Sequence, residues 1–335
     1  MRKEYLGGET IETIYWGGGT PSQLDKEDFE TIFYYLHKNY SISSHPEITL
    51  EANPDDLTPD YIAMLRTLPF NRLSMGIQTF NESILKVLQR RHTARQAIEA
   101  FQNCRAAGFQ NISIDLMYGL PGETLSTWQQ DLDQALLLHP EHLSAYHLIY
   151  EEDTVLWKLR EQHKVEEADE DLSVSLFSTL IDRLTSEGYD HYEISNFSLP
   201  GLYSRHNSSY WTEKKYLGCG PSAHSYNGVS RQWNVASLDT YIKGISAGTP
   251  VFEIEELDLY TRYNDFVITR IRTEWGMPLS KLRDEFGEKL YDYCLRMAAP
   301  HLKQGTLELV NDILKLTRKG IFISDGIMSD MLWTD

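Results

Sequence analysis

Several short apolar runs in this chain end in a glycine, a carboxylate or an amide, and those ends carry the groups with chemistry to offer. Ile14-Tyr15-Trp16 passes directly into Gly17-Gly18-Gly19-Thr20-Pro21, a turn that lets a ligand come close to backbone amides and carbonyls. Glu51, at the end of residues 47–51, offers a carboxylate to an ammonium or a hydroxyl, and Asp115, near the end of residues 111–117, offers another suited to ribose hydroxyls. Gln78 stands at a strand end and Arg90 in the helix expected after it, where a guanidinium can hold a carboxylate by two-point bonding. Each group also has a plainer reading: a tight turn for the glycines, a solvated helix end for Arg90 or Arg91, a strand-end cap for Asp115. Together they suit one ligand with an amino-acid end and a nucleoside end.

The elements that position these groups follow from the patterning. Residues 10–16, 47–51, 72–76, 111–117 and 142–148 read as buried strands, and residues 28–38, 59–67, 94–107 and 127–138 as amphipathic helices. This alternation is that of an α/β fold with parallel strands and crossover helices, in which ligands bind at the carboxyl ends of the strands. An acidic stretch over 161–171 precedes a helix over 172–187, and the aromatic-rich segment 189–233 shows no strand–helix alternation. Gly248-Thr249-Pro250 reads as a boundary. Helices over 257–272 and 279–302, a hairpin within 305–316 around Asn311-Asp312, and a last helix over 318–333 resemble a winged-helix unit. The expected organisation is therefore 1–188, 189–250 and 251–335.

Composition narrows the partners. Thirty-one basic against 49 acidic residues give a net charge of −18, which disfavours a hold on nucleic acid phosphate or an anionic membrane. No apolar run is long enough to span a bilayer and no apolar signal region follows the first residues, so a cytoplasmic protein is expected. The three cysteines, Cys104, Cys219 and Cys294, are too far apart in sequence for a local metal site and read as reduced thiols, with Cys219 expected to be buried.

The order of the motifs carries a resemblance. Tyr15 to Ser22, Leu50-Glu51-Ala52-Asn53-Pro54, Arg72 to Phe80 and Ile114 to Gly122 are similar in sequence and spacing to the radical S-adenosylmethionine family of oxygen-independent coproporphyrinogen III oxidase. The resemblance covers nearly the whole chain. It implies a partial barrel of (βα)6 type lacking its first βα unit, followed by a mostly helical C-terminal domain. It also implies S-adenosylmethionine contacts from Gly18, Gly19, Thr20, Glu51, Gln78, Arg90 and Asp115. The family holds a 4Fe-4S cluster on a Cys-x-x-x-Cys-x-x-Cys loop ahead of the glycine turn, and this chain contains no such triad. As it stands the chain is expected not to cleave S-adenosylmethionine, no residue is assigned a catalytic role, and the strand at Ile14 is expected to be an open edge prone to self-association.

A second motif separates branches of the family. His206-Asn207-Ser208-Ser209-Tyr210-Trp211 resembles the heme-binding signature of the heme-chaperone (HemW) branch. The resemblance implies His206 as axial ligand to heme iron, Tyr210 and Trp211 as apolar surface for the macrocycle, Asn207 beside them, and Arg205 for a propionate. His224 ranks second as a ligand, and the remaining histidines, His92, His147 and His191 among them, read as structural. The leading expectation is a heme-binding chaperone delivering heme to client proteins, with a residual S-adenosylmethionine pocket. Radical decarboxylation of coproporphyrinogen III and a non-catalytic interaction relic are the alternatives.

Overall fold

Two-residue alternation of apolar side chains builds the first layer. Strands β1 (Ile11–Trp16), β2 (Ile42–Ala52), β3 (Arg72–Gln78), β4 (Ile112–Tyr118) and β5 (His142–His147) lie parallel in that order, and β7 (Asn196–Ser198) and β6 (Asp190–Glu193) complete the sheet antiparallel. The seven strands form a curled half-barrel sheet with β1 and β6 at its edges. This computed structural model describes residues 2–334 in two compact units, and the sheet belongs to the first, Ile11–Lys38 with Ile42–Arg205.

One face of the sheet is apolar. Ile48, Leu50 and Ala52 on β2, Leu73, Met75 and Ile77 on β3, Ile112, Ile114 and Leu116 on β4, and Leu143 and Ala145 on β5 are all buried. Trp16 continues this face on β1, its ring meeting Phe29 at 4.9 Å and Phe33 at 5.2 Å from the helix Lys26–Asn39, while Phe29 also meets Phe70 edge-on at 5.1 Å. Helix Ala94–Ala106 buries Ala97, Ala100, Phe101 and Cys104 along one stripe and is started by a Thr93–Gln96 capping box. Helix Leu125–Leu137 is capped in the same way by Thr124 and Thr127.

The other face is polar, yet Thr49, Arg72, Ser74, Ser113, His142 and Ser144 on it are buried too. Burial makes pairing of such groups favourable, although Thr49 Oγ1 and Arg72 Nε and Nη2 have no hydrogen-bond partner among the described residues. His142 supplies such pairing for three strands: Nδ1 lies 2.8 Å from Ser113 Oγ on β4 and Nε2 lies 2.7 Å from the Tyr192 hydroxyl on β6. Burial holds its imidazole neutral, well below the ordinary histidine range.

The second unit comprises the residues up to Thr10, Asn39–Ser41 and the chain from His206 on. Strands β8 (His224–Tyr226), β9 (Ser230–Asn234) and β10 (Phe252–Glu256) pair antiparallel in the order β10-β9-β8. Helices Leu259–Ile271 and Leu279–Gln304 pack with a small sheet of β11 (Met277–Pro278), β12 (Leu307–Val310) and β13 (Ile313–Leu316). Asn311 and Asp312, both at positive φ (50° and 71°), turn the β12–β13 hairpin.

Four expectations need correcting. Residues 189–233 hold the β6–β7 hairpin, a helix at Arg205–Trp211, and β8 and β9; strands of three to five residues are too short for alternation to register. Helix Leu279–Gln304 is broken at Gly287, whose φ of 80° lies outside the helical region. The last helix is two, Arg318–Ile321 and Ser324–Met331, separated where Ile323 takes φ −126°, ψ 27°. Cys219 is exposed, in a surface turn where a side chain on neighbouring Gly218 would strike the His224 carbonyl at 2.2 Å. The structure adds the short helices Glu82–Val87, Val155–Glu161 and Leu238–Ser246, capped by Asn81, Thr154 and Ser237.

Phe29→Ala is expected to cost about 3–5 kcal/mol of stability and Phe29→Leu under about 1.5 kcal/mol, read as urea unfolding midpoints. Indistinguishable midpoints for wild type and Phe29→Ala would refute the ring cluster as a principal support of β1.

Candidate functional site

At the carboxyl end of β1 the backbone turns through Gly18 and Gly19 at φ 75° and 63°. Gly17 is required for closeness, since a Cβ there would lie 2.5 Å from the Tyr15 ring and 2.9 Å from Glu51 Oε1. Glu51, the penultimate residue of β2, accepts the Tyr15 hydroxyl at 2.6 Å and the Gly18 amide at 3.2 Å. The carboxylate read from sequence as an acceptor for a ligand thus also shapes the glycine turn. Thr20 is exposed and its side chain caps no helix.

Gln78 closes β3 in the left-handed region, φ 72°, beside a register shift against β4. The next two residues are pinned from a covering helix: Asp131 accepts the Thr79 hydroxyl at 2.5 Å and the Phe80 amide at 2.9 Å. Arg90 lies in the turn after helix Glu82–Val87 rather than within a helix, because that helix ends after two turns and Gln89 takes φ 54°. Its Nη2 donates to Asn53 Oδ1 at 2.7 Å and to the Gly76 carbonyl at 2.9 Å, while its buried Nε has no hydrogen-bond partner among the described residues. Burial lowers the Arg90 pKa. A Cβ on Gly76 would sit 3.1 Å from Gln78 Nε2 and 3.5 Å from Arg90 Nη2, so these two side chains share one spot.

Asp115 on β4 takes the Ser74 hydroxyl at 3.2 Å. Burial first, and then the charge of Glu51, push its carboxyl up to about 6 against the hydrogen bonds of Ser144 and Ser74 and the Arg72 charge. The strand ends of β1 to β4 are therefore linked as Gly18–Glu51, Asn53–Arg90–Gly76 and Ser74–Asp115. Sequence reasoning missed Tyr15, Asn53, Ser74 and Asp131, whose roles depend on cross-strand neighbours that spacing along one run does not reveal. Arg90's unpartnered Nε and the open space beside Gly18 and Gly19 are what a cradle for an amino-acid-bearing ligand needs. A cluster has no such fit: Cys104 lies in the first unit and Cys219 and Cys294 in the second, and no group of three metal-ligating side chains gathers among the described residues.

In the second unit, helix Arg205–Trp211 places His206 and Tyr210 on one face by their i,i+4 spacing, and Asn207 and Trp211 on the adjacent one. His206 Nε2 lies 3.0 Å from the Tyr210 hydroxyl and the rings meet edge-on at 5.2 Å. Tyr210 in turn meets Tyr216 at 4.8 Å, and Tyr216 meets Tyr226 at 6.1 Å, a ladder of rings leading from the histidine. His224 stacks on Trp233 at 6.0 Å. Arg205, read as a propionate partner, instead belongs to the first unit, where its amide donates to Glu47 Oε2 at 3.0 Å and its guanidinium to the His45 carbonyl at 2.9 Å. His92, His147 and His191 bond the Ile77 carbonyl, Ser173 Oγ and the Ile194 carbonyl, as structural histidines do.

A carboxyl whose pKa is raised by folding stabilises the protein below its ordinary value, and that stability is lost as pH rises through the folded value. For Asp115 the window runs from about 4 to about 6. The urea midpoint of the wild type is expected to fall between pH 4.5 and pH 7 by more than that of Asp115→Asn; parallel pH profiles would refute a raised Asp115.

Comparison with known proteins agrees with this layout. The radical SAM superfamily model matches residues 3–135 and the HemN C-terminal domain model residues 257–323. The heme chaperone HemW of Lactococcus lactis subsp. lactis is 32% identical over 98% of this chain and 86% of its own length. The protein of the same name from Bacillus subtilis is 30% identical, over 97% of this chain and 86% of its own. Among solved structures, coproporphyrinogen III oxidase (HemN) from Escherichia coli superposes with a TM-score of 0.83 over 98% of this chain and 81% of that one, at 22% identity, which establishes the shared fold. The chain belongs to the radical S-adenosylmethionine superfamily, in its HemW/HemN-like family.

Proposed function

We propose that this protein binds heme as cargo on helix Arg205–Trp211 and passes it to client proteins. The observation that carries the reading is the pairing of His206 with Tyr210 on one helix face, at the head of a ladder of aromatic rings. An imidazole supplies an iron ligand and the rings supply flat apolar surface for a macrocycle. The names of the relatives, heme chaperone HemW, support the same conclusion.

Delivery requires release, and the helix contains a device that favours it. Iron binding through Nε2 displaces the Tyr210 hydroxyl, so the hydrogen bond competes with the cargo. Heme titration is expected to give a Soret shift in the wild type that is lost in His206→Ala. An unchanged band and affinity in that variant would remove His206 as ligand. Tyr210→Phe removes the competing bond, worth about 0.5–1.5 kcal/mol net, and is expected to bind heme roughly twofold to tenfold more tightly.

The rim of Gly18, Gly19, Thr20, Glu51, Gln78, Arg90 and Asp115 is assigned to S-adenosylmethionine. Arg90 would hold the ligand's carboxylate, Asp115 its ribose, and Glu51 would keep the glycine turn open to its amino-acid end. Bound S-adenosylmethionine supplies radical chemistry to proteins that set it against an iron–sulfur cluster. The residues present here bind and orient the ligand, and their cysteines offer no seat for a cluster. Calorimetry is expected to register binding of S-adenosylmethionine and about tenfold or greater weakening in Arg90→Met, as one charge-assisted bond is lost. Equal heats for the two proteins would remove Arg90 from the site.

A further inference from the structure

Heme carries two propionate carboxylates, and the residue expected from sequence to meet one, Arg205, is bonded to Glu47 and His45 in the other unit. The second unit gathers cations elsewhere. The Arg272 guanidinium lies over the Trp211 ring at 4.2 Å. Two residues beyond Trp211, Glu213 accepts Lys281 Nζ at 2.8 Å and stands 3.4 Å from Arg270 Nη2, and Lys281 also reaches Glu285 at 3.5 Å. Trp211 and Glu213 thus bring Arg270, Arg272 and Lys281 to the carboxyl end of the helix that bears His206, in a chain whose net charge is −18.

The network is only partly satisfied. Arg270 Nε, Trp211 Nε1 and Glu213 Oε1 are buried, and none has a hydrogen-bond partner among the described residues. A guanidinium on an indole keeps its N–H donors in the guanidinium plane, where they can meet a carboxylate two at a time. A lysine at a partly exposed site adds a mobile ammonium donor. His206 and Trp211 stand five residues apart on one helix, about 7.5 Å along its axis at 1.5 Å per residue. At 3.6 residues per turn the two side chains also diverge by about 140° around the axis, so a macrocycle on His206 meets these cations at the carboxyl end of the helix rather than along one face.

Resting on the heme reading above, we propose that Arg272 and Lys281, backed by Arg270, form the carboxylate-binding end of the cargo site and take the heme propionates. Glu213 holds Arg270 and Lys281 in place, so the C-terminal domain orients the cargo as well as packing beside the helix.

The test compares iron protoporphyrin IX with its dimethyl ester, in which both propionates are masked, by Soret titration of the full chain. The wild type is expected to bind the diacid about tenfold more tightly than the ester, as one or two charge-assisted bonds require. Arg272→Gln and Lys281→Gln are each expected to shrink that ratio by weakening diacid binding and leaving ester binding unchanged. A Soret shift with equal affinities for diacid and ester in the wild type overturns the cation site and leaves His206 standing. The same holds if both variants keep the full ratio. No Soret shift with either porphyrin in the wild type overturns the heme reading together with the site. The comparison within the wild type needs no variant to fold.

Discussion

Closing a parallel sheet from water on both sides makes each polar group on its second face costly unless it is paired, and much of the first unit is arranged around that constraint, although Thr49 Oγ1 and Arg72 Nε and Nη2 have no hydrogen-bond partner among the described residues. His142 is the junction. Through Ser113 and Tyr192 it joins the parallel strands to the antiparallel pair at the edge, and it does so as a neutral imidazole that both accepts and donates. Arg72 and Asp115 lie on the same face on neighbouring strands, and the Arg72 charge works against the burial that raises the Asp115 carboxyl. The rim of strand ends is the open end of this polar layer. Its residues are extensions of the alternation that puts Thr49, Ser74 and Ser144 inside, so the site inherits its positions from the sheet.

The parallel half was legible because short apolar runs alternating with amphipathic stretches are a local signal. All five parallel strands and the helices over 94–107 and 127–138 appear where the patterning put them, within two residues at their ends except for β2, which begins five residues earlier, at Ile42. The hairpin at residues 190–198 was not legible. Glu193 is buried in it with its carboxylate accepting the Asn196 amide at 2.6 Å, which inverts the rule that charge marks the outside. Gly287 shows the converse: one glycine in a helical pattern is ambiguous until its torsion is known.

The site divides in the same way. Residue types and order were readable, since the motif residues fall at strand ends and on one helix. Bonding was not, because Tyr15, Asn53 and Ser74 act across strands, and Arg205 is taken by β2 residues 158 and 160 positions away. Sequence spacing reports what a residue can do, and tertiary neighbours decide whether it is available to do it.

Asp131 deserves a last look for what it implies about tolerance to change. It sits on a helix covering the apolar face, yet its carboxylate fixes the backbone just after Gln78. The local geometry of the rim is thus written partly into a covering helix. Over evolutionary drift, the outward positions of that helix can exchange while this single acid stays locked to the backbone just past the end of β3, a place where covariation with position 79 would be visible before any loss of fold.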